Sequence, residues 1–327
     1  MKMKFLLVAV GLVLAVTAEE LITNNYHELI GIREAERIRI AEKSQDFDGS
    51  KIVGGQASAL GAHPHLGGLV IVLTTGRQSV CGSSLLTNTR LVTAAHCWRD
   101  SNSQARQFTV VLGSIRLFSG GVRIETRNVQ VHGSYNSQTL SNDVAVISIS
   151  HVGYTNAIQR IGLATGSNNY AGSWATAAGF GRTTTGISNS QAQRHVSMQV
   201  ITNAVCSNTF GPSIIIASTL CTSTSGGQST CGGDSGGPLA IGSGASRQLV
   251  STIFIISVYC MCSFCFLLKC YMRFFLITDW YYILRVQLRV FSWTTRRFCK
   301  SYLFCLLDQF SIIIMILKYT YFLYEFV

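Results

Sequence analysis

Residues 231–238 read Cys231-Gly232-Gly233-Asp234-Ser235-Gly236-Gly237-Pro238. Taken alone, an Asp-Ser pair among glycines is most often a loop. Its meaning changes because two other short runs precede it, Thr93-Ala94-Ala95-His96-Cys97 and Asn142-Asp143-Val144-Ala145. Each of these also has a plain structural explanation: a histidine beside a cysteine is commonly a satisfied core residue, and an aspartate opening an apolar strand is commonly a turn residue. Together the three supply the parts of nucleophilic acyl transfer. A serine hydroxyl is a weak nucleophile until an imidazole takes its proton. The imidazole in turn needs a buried carboxylate to set its tautomer and stabilise its cation.

The surrounding region, from Ile52 to about Val250, consists of short β-type runs separated by Gly, Ser, Asn and Thr, such as Gly68–Leu73, Phe108–Leu112, Val122–Val131 and Asp143–Ile149. Twenty-seven glycines fall between 51 and 250, and no long segment repeats with a helical period. Short strands at turn-like spacing predict an all-β sandwich or barrel, and about 200 residues can bury two cores.

The flanks differ in kind. Residues 1–18 begin Met1-Lys2-Met3-Lys4, continue through an apolar Leu/Val/Ala run and end on Val16-Thr17-Ala18. That is the pattern of a secretory signal peptide, too short for a membrane anchor. Residues 19–51 are polar and charge-alternating, as in Ile32-Arg33-Glu34-Ala35-Glu36-Arg37-Ile38-Arg39. They fit a solvated amphipathic helix or a flexible pro-segment. Residues 251–327 contain no Gly, Pro, Ala, Asn or His and are dense in Ile, Leu, Phe, Tyr and Cys. A β-rich secreted domain does not keep its turns without Gly, Pro and Asn, so this tail is a different sort of sequence.

The chain carries a formal net charge of +11. Residues 1–50 are net −2, 51–250 net +8 and 251–327 net +5. The arginines of the central region are scattered singly, so the basic balance does not point to nucleic acid. Lys51 is the only lysine between 51 and 250. Arginine keeps its charge at pH values where lysine loses it, so such a surface suits an alkaline fluid. Of the eleven cysteines, 81, 97, 206, 221 and 231 lie in the central region and 260, 262, 265, 270, 299 and 305 in the tail. In an exported chain, spaced cysteines imply disulfides. With no CxxC…CxxC pair and no HExxH, the sequence predicts neither a metal nor a cofactor.

Residues 52–250 resemble the chymotrypsin family of serine proteases, its insect midgut members in particular. The resemblance rests on the three runs above together with Ile52-Val53-Gly54-Gly55 and Gly179-Phe180-Gly181-Arg182-Thr183. It implies two six-stranded antiparallel Greek-key β-barrels with the active site between them. His96 is then the general base, Asp143 its orienter and Ser235 the nucleophile, with the backbone N–H groups of Gly233 and Ser235 as the oxyanion hole. Lys51-Ile52 resembles an activation site. A trypsin-like protease cutting after Lys51 would free the Ile52 α-amino group to pair with Asp234 and order the Gly233–Ser235 loop. The resemblance also implies the disulfides Cys81–Cys97 and Cys206–Cys221, each worth about 3 kcal/mol in the chain-entropy account. Cys231 belongs to a third, with a partner some way downstream. Ser229, six residues before Ser235, matches the base of the specificity pocket, and its lack of charge implies cleavage after large apolar side chains.

Beyond Val250 the resemblance fades, so the second barrel is expected to be incomplete. Two readings of the tail compete. Residues 248–268 lack charge and are long enough for a membrane helix. Alternatively, 251–327 is an aberrant hydrophobic tail translated from non-coding sequence, the reading its A/T-rich codon character favours. The expectation is a secreted digestive endopeptidase zymogen acting on proteins and peptides outside the cell, in the gut lumen. Its rival is a catalytically incompetent isoform or tethered binding protein lacking one pocket wall.

Overall fold

The structure is a computed structural model, and it describes residues 24–43, 56–181, 192–224 and 229–253. All of these fall in one unit, residues 1–262. The expected signal peptide, Lys51, Ile52 and the tail beyond Ile253 lie outside the described residues.

The first element is helical. A single π-helical turn at His27–Gly31 runs into α1, Ile32–Lys43. Then come fourteen strands: β1 (Gln56–Ala57), β2 (Leu66–Leu73), β3 (Gln78–Thr87), β4 (Arg90–Thr93), β5 (Ala105–Leu112), β6 (Val122–Thr126), β7 (Val129–Val131), β8 (Ala145–Ser148), β9 (Gly162–Leu163), β10 (Trp174–Gly179), β11 (Arg194–Ile201), β12 (Cys221–Thr222), β13 (Pro238–Ile241) and β14 (Gln248–Thr252). A second helix, α2 (Asn203–Phe210), lies between β11 and β12.

The first sheet runs β6-β5-β2-β3-β4-β8-β7. Its two end strands, β6 and β7, are consecutive in the chain and separated only by Arg127 and Asn128. A single bent strand therefore stands at both ends of the order, which closes the sheet on itself as a barrel of six strands. The bend is held from the other side by Ser148: its N–H donates to the Asn128 carbonyl (2.9 Å), and its carbonyl accepts from the Thr126 hydroxyl (2.7 Å). Inward alternation places Leu69, Ile71, Leu85, Leu91, Phe108, Val110 and Ile147 in one core. β2 shows almost no alternation, being buried on both faces.

The second sheet runs β1-β11-β10-β13-β14-β9, with β12 paired to β11. Its core is built on smaller residues, Ala175, Ala177, Met198, Val200, Leu239 and Ile253. Two features depart from the sequence expectation. The β14–β9 pairing is parallel, through Gln248↔Gly162 and Leu249↔Leu163. Strand β14 also continues past Val250 to Thr252, with Ile253 buried behind it. The first five residues of the 248–268 stretch weighed as a membrane helix are thus a sheet strand. Among the described residues no helix is long and apolar enough to cross a membrane.

Disulfides tie neighbouring elements together. Cys81 of β3 is bonded to Cys97 (S–S 2.08 Å), and Cys206 of α2 to Cys221 of β12 (2.03 Å). Cys231 is disulfide-bonded as well, to a partner outside the described residues.

Candidate active site

Strand β4 ends at Thr93, and the chain turns through extended Ala94 into a single 3₁₀ turn, Ala95–Cys97. This turn carries His96, only 3 % exposed. Asp143 approaches from the start of β8. Its carboxylate accepts from the His96 backbone N–H (2.8 Å) through one oxygen and from the ring Nδ1 (2.6 Å) through the other. A carboxylate can only accept, so Nδ1 carries the proton, while Nε2 lies 3.7 Å from Cys97 Sγ. Asn142, just before, sits at φ 57°, a region asparagine tolerates better than most residues. Its side-chain amide donates to the Ser134 carbonyl (3.0 Å).

The Ser235 loop joins the two sheets. Gly82 N–H, in β3 of the first barrel, donates to the Ser235 carbonyl (2.7 Å), and Gly236 N–H donates to the Ile253 carbonyl (2.8 Å) beyond β14. Gly233 has φ +101°, and a Cβ there would lie 3.0 Å from the Gly181 Cα. Only glycine meets both conditions without strain. The Asp234 carboxylate turns inward, accepting from Gly181 N–H (2.8 Å) and Cys231 N–H (3.0 Å). Burial pushes it up to about 6, although those two N–H donors pull the other way.

His96, Asp143 and Ser235 are thus brought to one place, with Gly233 and Asp234 beside them. Ser229 is half-buried six residues before Ser235, and residues 225–228 are not among those described. His96 also clusters with Cys81 and Cys97 in the manner of a metal site. The two sulfurs are joined to each other, however, and a disulfide offers no thiolate to an ion.

One occupant of the site was not legible in the sequence. Tyr26, 3 % exposed, lies with its ring centroid 4.7 Å from that of His96. Its hydroxyl donates to the Val80 carbonyl (2.9 Å), and the Ser235 side chain and the Gly233 backbone lie near enough to favour its ionised form. Burial drives this phenol well above its ordinary range. With Tyr26 in place Ser235 is only 1 % exposed.

Comparison with known proteins gives this geometry a family. Residues 52–265 match the sequence profile of the family described as Trypsin. The chain belongs to the trypsin family of serine endopeptidases. A collagenase of Hypoderma lineatum is 37 % identical over 194 residues, covering 58 % of this chain and 72 % of that protein. Trypsin delta of Drosophila melanogaster is 33 % identical over 195 residues, covering 59 % of this chain and 74 % of its own. A solved structure titled HL collagenase superposes with a TM-score of 0.54 at 34 % identity, over 63 % of this chain and 94 % of that one. The trypsin match extends beyond Val250, where the sequence resemblance fades by eye, and includes β14. It begins at Ile52, so Tyr26 and α1 lie outside it.

Proposed function

We propose that this chain is the secreted precursor of a digestive serine endopeptidase that hydrolyses peptide bonds through an acyl-enzyme on Ser235. The observation that carries the reading is the double acceptance of His96 by Asp143, at 2.8 and 2.6 Å. It leaves Nε2 as the one ring nitrogen able to take a proton. In the first step Ser235 Oγ bonds to the substrate carbonyl carbon while His96 Nε2 takes the hydroxyl proton. The imidazolium beside the Asp143 carboxylate then returns that proton to the departing amine as the C–N bond breaks. Water, deprotonated by the same nitrogen, attacks the ester and restores Ser235. The N–H groups of Gly233 and Ser235 receive the carbonyl oxygen as it gains negative charge. No step calls for a metal or a cofactor.

Cleavage after Lys51 by a trypsin-like protease is the activation step. Asp234 supports this role: a buried carboxylate pushed up to about 6 gains most from an incoming ammonium such as that of Ile52. The uncharged Ser229 supports a preference for large apolar side chains. The Met1–Ala18 pattern and the two disulfides support export to an extracellular fluid such as the gut lumen.

The test treats the purified full chain with trypsin, then assays an aromatic p-nitroanilide and labelling by a fluorophosphonate. Turnover and labelling are expected in the wild type and absent in Ser235→Ala. A wild type cut after Lys51 and freed of the preceding segment that shows neither overturns the reading.

A further inference from the structure

Residues 24–43 are docked along their length on the two barrels, past the Ser235 loop. Upstream of Tyr26, the Asn24 carbonyl accepts from Ser101 N–H (2.9 Å) and from the Ser101 hydroxyl (2.7 Å). Next to it, His27 N–H donates to the Asp100 carboxylate (2.8 Å), and His27 Nδ1 lies 2.8 Å from the Ser79 hydroxyl. At Gly31 the helix comes so close to β3 that a Cβ would stand 2.0 Å from Ser79 Oγ and 2.9 Å from the Tyr26 ring. Ile30 and Glu34 lie over Gly232, beside the Ser235 loop. Ala35 and Ile38, 2 % and 0 % exposed, pack with Val70, Leu117 and Phe180. At the far end the Glu42 carboxylate accepts from the backbone N–H groups of Leu117 and Phe118. The partners come from both barrels.

We infer that residues 24–43 are an intramolecular inhibitor whose Tyr26 occupies the place of the scissile group in the active site. This rests on the proposed protease function and extends it to regulation. An acyl substrate must put its carbonyl oxygen where the Gly233 N–H points, and its carbon against Ser235 Oγ. The Tyr26 hydroxyl, held by the Val80 carbonyl at 2.9 Å, lies beside both groups, its ring centroid is 4.7 Å from that of His96, and Ser235 is left 1 % exposed. Substrate and Tyr26 exclude one another. Every contact named lies before Lys51, so cutting that bond breaks none of them. Activation is therefore two events, the cut and the departure of the segment. Arg33 and Lys43, both exposed in α1, offer the activating trypsin-like protease the means to destroy the plug after the cut.

The experiment uses the full chain, trypsin-activated and freed of trypsin, titrated with a synthetic peptide of residues 24–43. Two signals are read: p-nitroanilide hydrolysis, and anisotropy of a dye-labelled peptide. The expected result is competitive inhibition, raising KM at constant kcat, over the concentrations at which the dye signal saturates. The Tyr26→Ala and Gly31→Val peptides should each be at least about tenfold weaker in both, a difference of about 1.4 kcal/mol. No binding, or binding that leaves KM unmoved, overturns the inference while turnover keeps the protease reading intact. A chain that turns over nothing after mass spectrometry shows residues 24–43 cleaved and removed sinks the protease reading. Anisotropy alone then decides docking, Tyr26-dependent binding upholding the plug and Tyr26-independent binding overturning it.

Discussion

His96 meets Asp143 through two atoms, one from its backbone and one from its ring, and the two contacts have separable effects. In Asp143→Asn the side-chain oxygen can still accept from the backbone N–H. The amide nitrogen, a donor, then faces Nδ1 and favours the tautomer with its proton on Nε2. The expected outcome in the activated chain is a fall in kcat of about 10⁴-fold with little change in thermal stability, measured by anilide hydrolysis and by calorimetry. An equally large loss of stability would show that Asp143 serves mainly to hold the 3₁₀ turn. Gly233→Ala should cost about 10²–10³ in kcat, because a Cβ at φ +101° and 3.0 Å from Gly181 forces the N–H off its target. Unchanged kcat in that variant would remove Gly233 from the oxyanion hole. These residues are legible in the sequence because each sits in a short run with its own chemistry. Tyr26 is not. Its partners His96, Val80, Gly233 and Ser235 are distant in the chain, and a lone tyrosine in a polar segment carries no local mark of what it faces.

Among the elements, the strands were legible from their apolar runs, and Phe108–Leu112 lies within β5 as expected. The break between β6 and β7 and the parallel β9 edge were not, since both depend on pairing partners rather than on pattern. Helix α1 was half legible. Its charge alternation fits a helix, but the same pattern reads as solvated, whereas Glu34 and Ile38 are 1 % and 0 % exposed. Glu34 tolerates burial beside Arg37, whose Nε lies 2.6 Å from its carboxylate. The docked segment also carries a titrating group. His27 is fully buried and held at about 4, first by burial; neighbouring His96 lowers it further, while the Asp100 carboxylate and the His96 and Cys97 backbone pull it upward. In the free peptide it should titrate near 6.5. A value lowered by docking means that binding is complete above 6.5 and weakens as pH falls towards 4, by about tenfold per pH unit between those limits. Peptide anisotropy from pH 7.5 to 4.5 checks this, and a His27→Gln peptide should show a flatter profile. Parallel profiles for the two peptides would exclude His27 as the cause.

Across the whole molecule the same proton logic applies at the seam between the barrels. His63 and His65, just before β2, lie with ring centroids 6.2 Å apart, and His63 faces His195 of β11 at 4.8 Å. Arg247, before β14, donates to the Ala62 carbonyl (3.1 Å) and lies 3.4 Å from His63 Nδ1. Burial first, then the neighbouring cations, lowers His63 to about 3 and His65 to about 4, and pushes His195 down as well. Folding therefore disfavours their protonated forms, and the folded chain binds fewer protons than the unfolded one between about 6.5 and 3. The stability they contribute is complete above 6.5 and is lost as pH falls through 4 to 3. Asp234 acts in the opposite sense: raised from 3.8 to about 6, its contribution is full below 3.8 and is lost as pH rises through 6. Burial raises Glu42 in the same sense, but the four lowered histidines, His27 included, outnumber the two carboxylates, so they win. The urea midpoint of the uncut chain should fall steadily from pH 7 to pH 4. His63→Gln keeps an acceptor for Arg247 but cannot take a proton, so its midpoint should fall less over the same range. Identical slopes in the two proteins would place the acid sensitivity elsewhere. Residues 52–250 carry arginine and no lysine, and with the seam imidazoles neutral above 6.5 seam and plug are both expected at full strength in neutral to alkaline fluid, where release of the plug would depend on proteolysis rather than on acid.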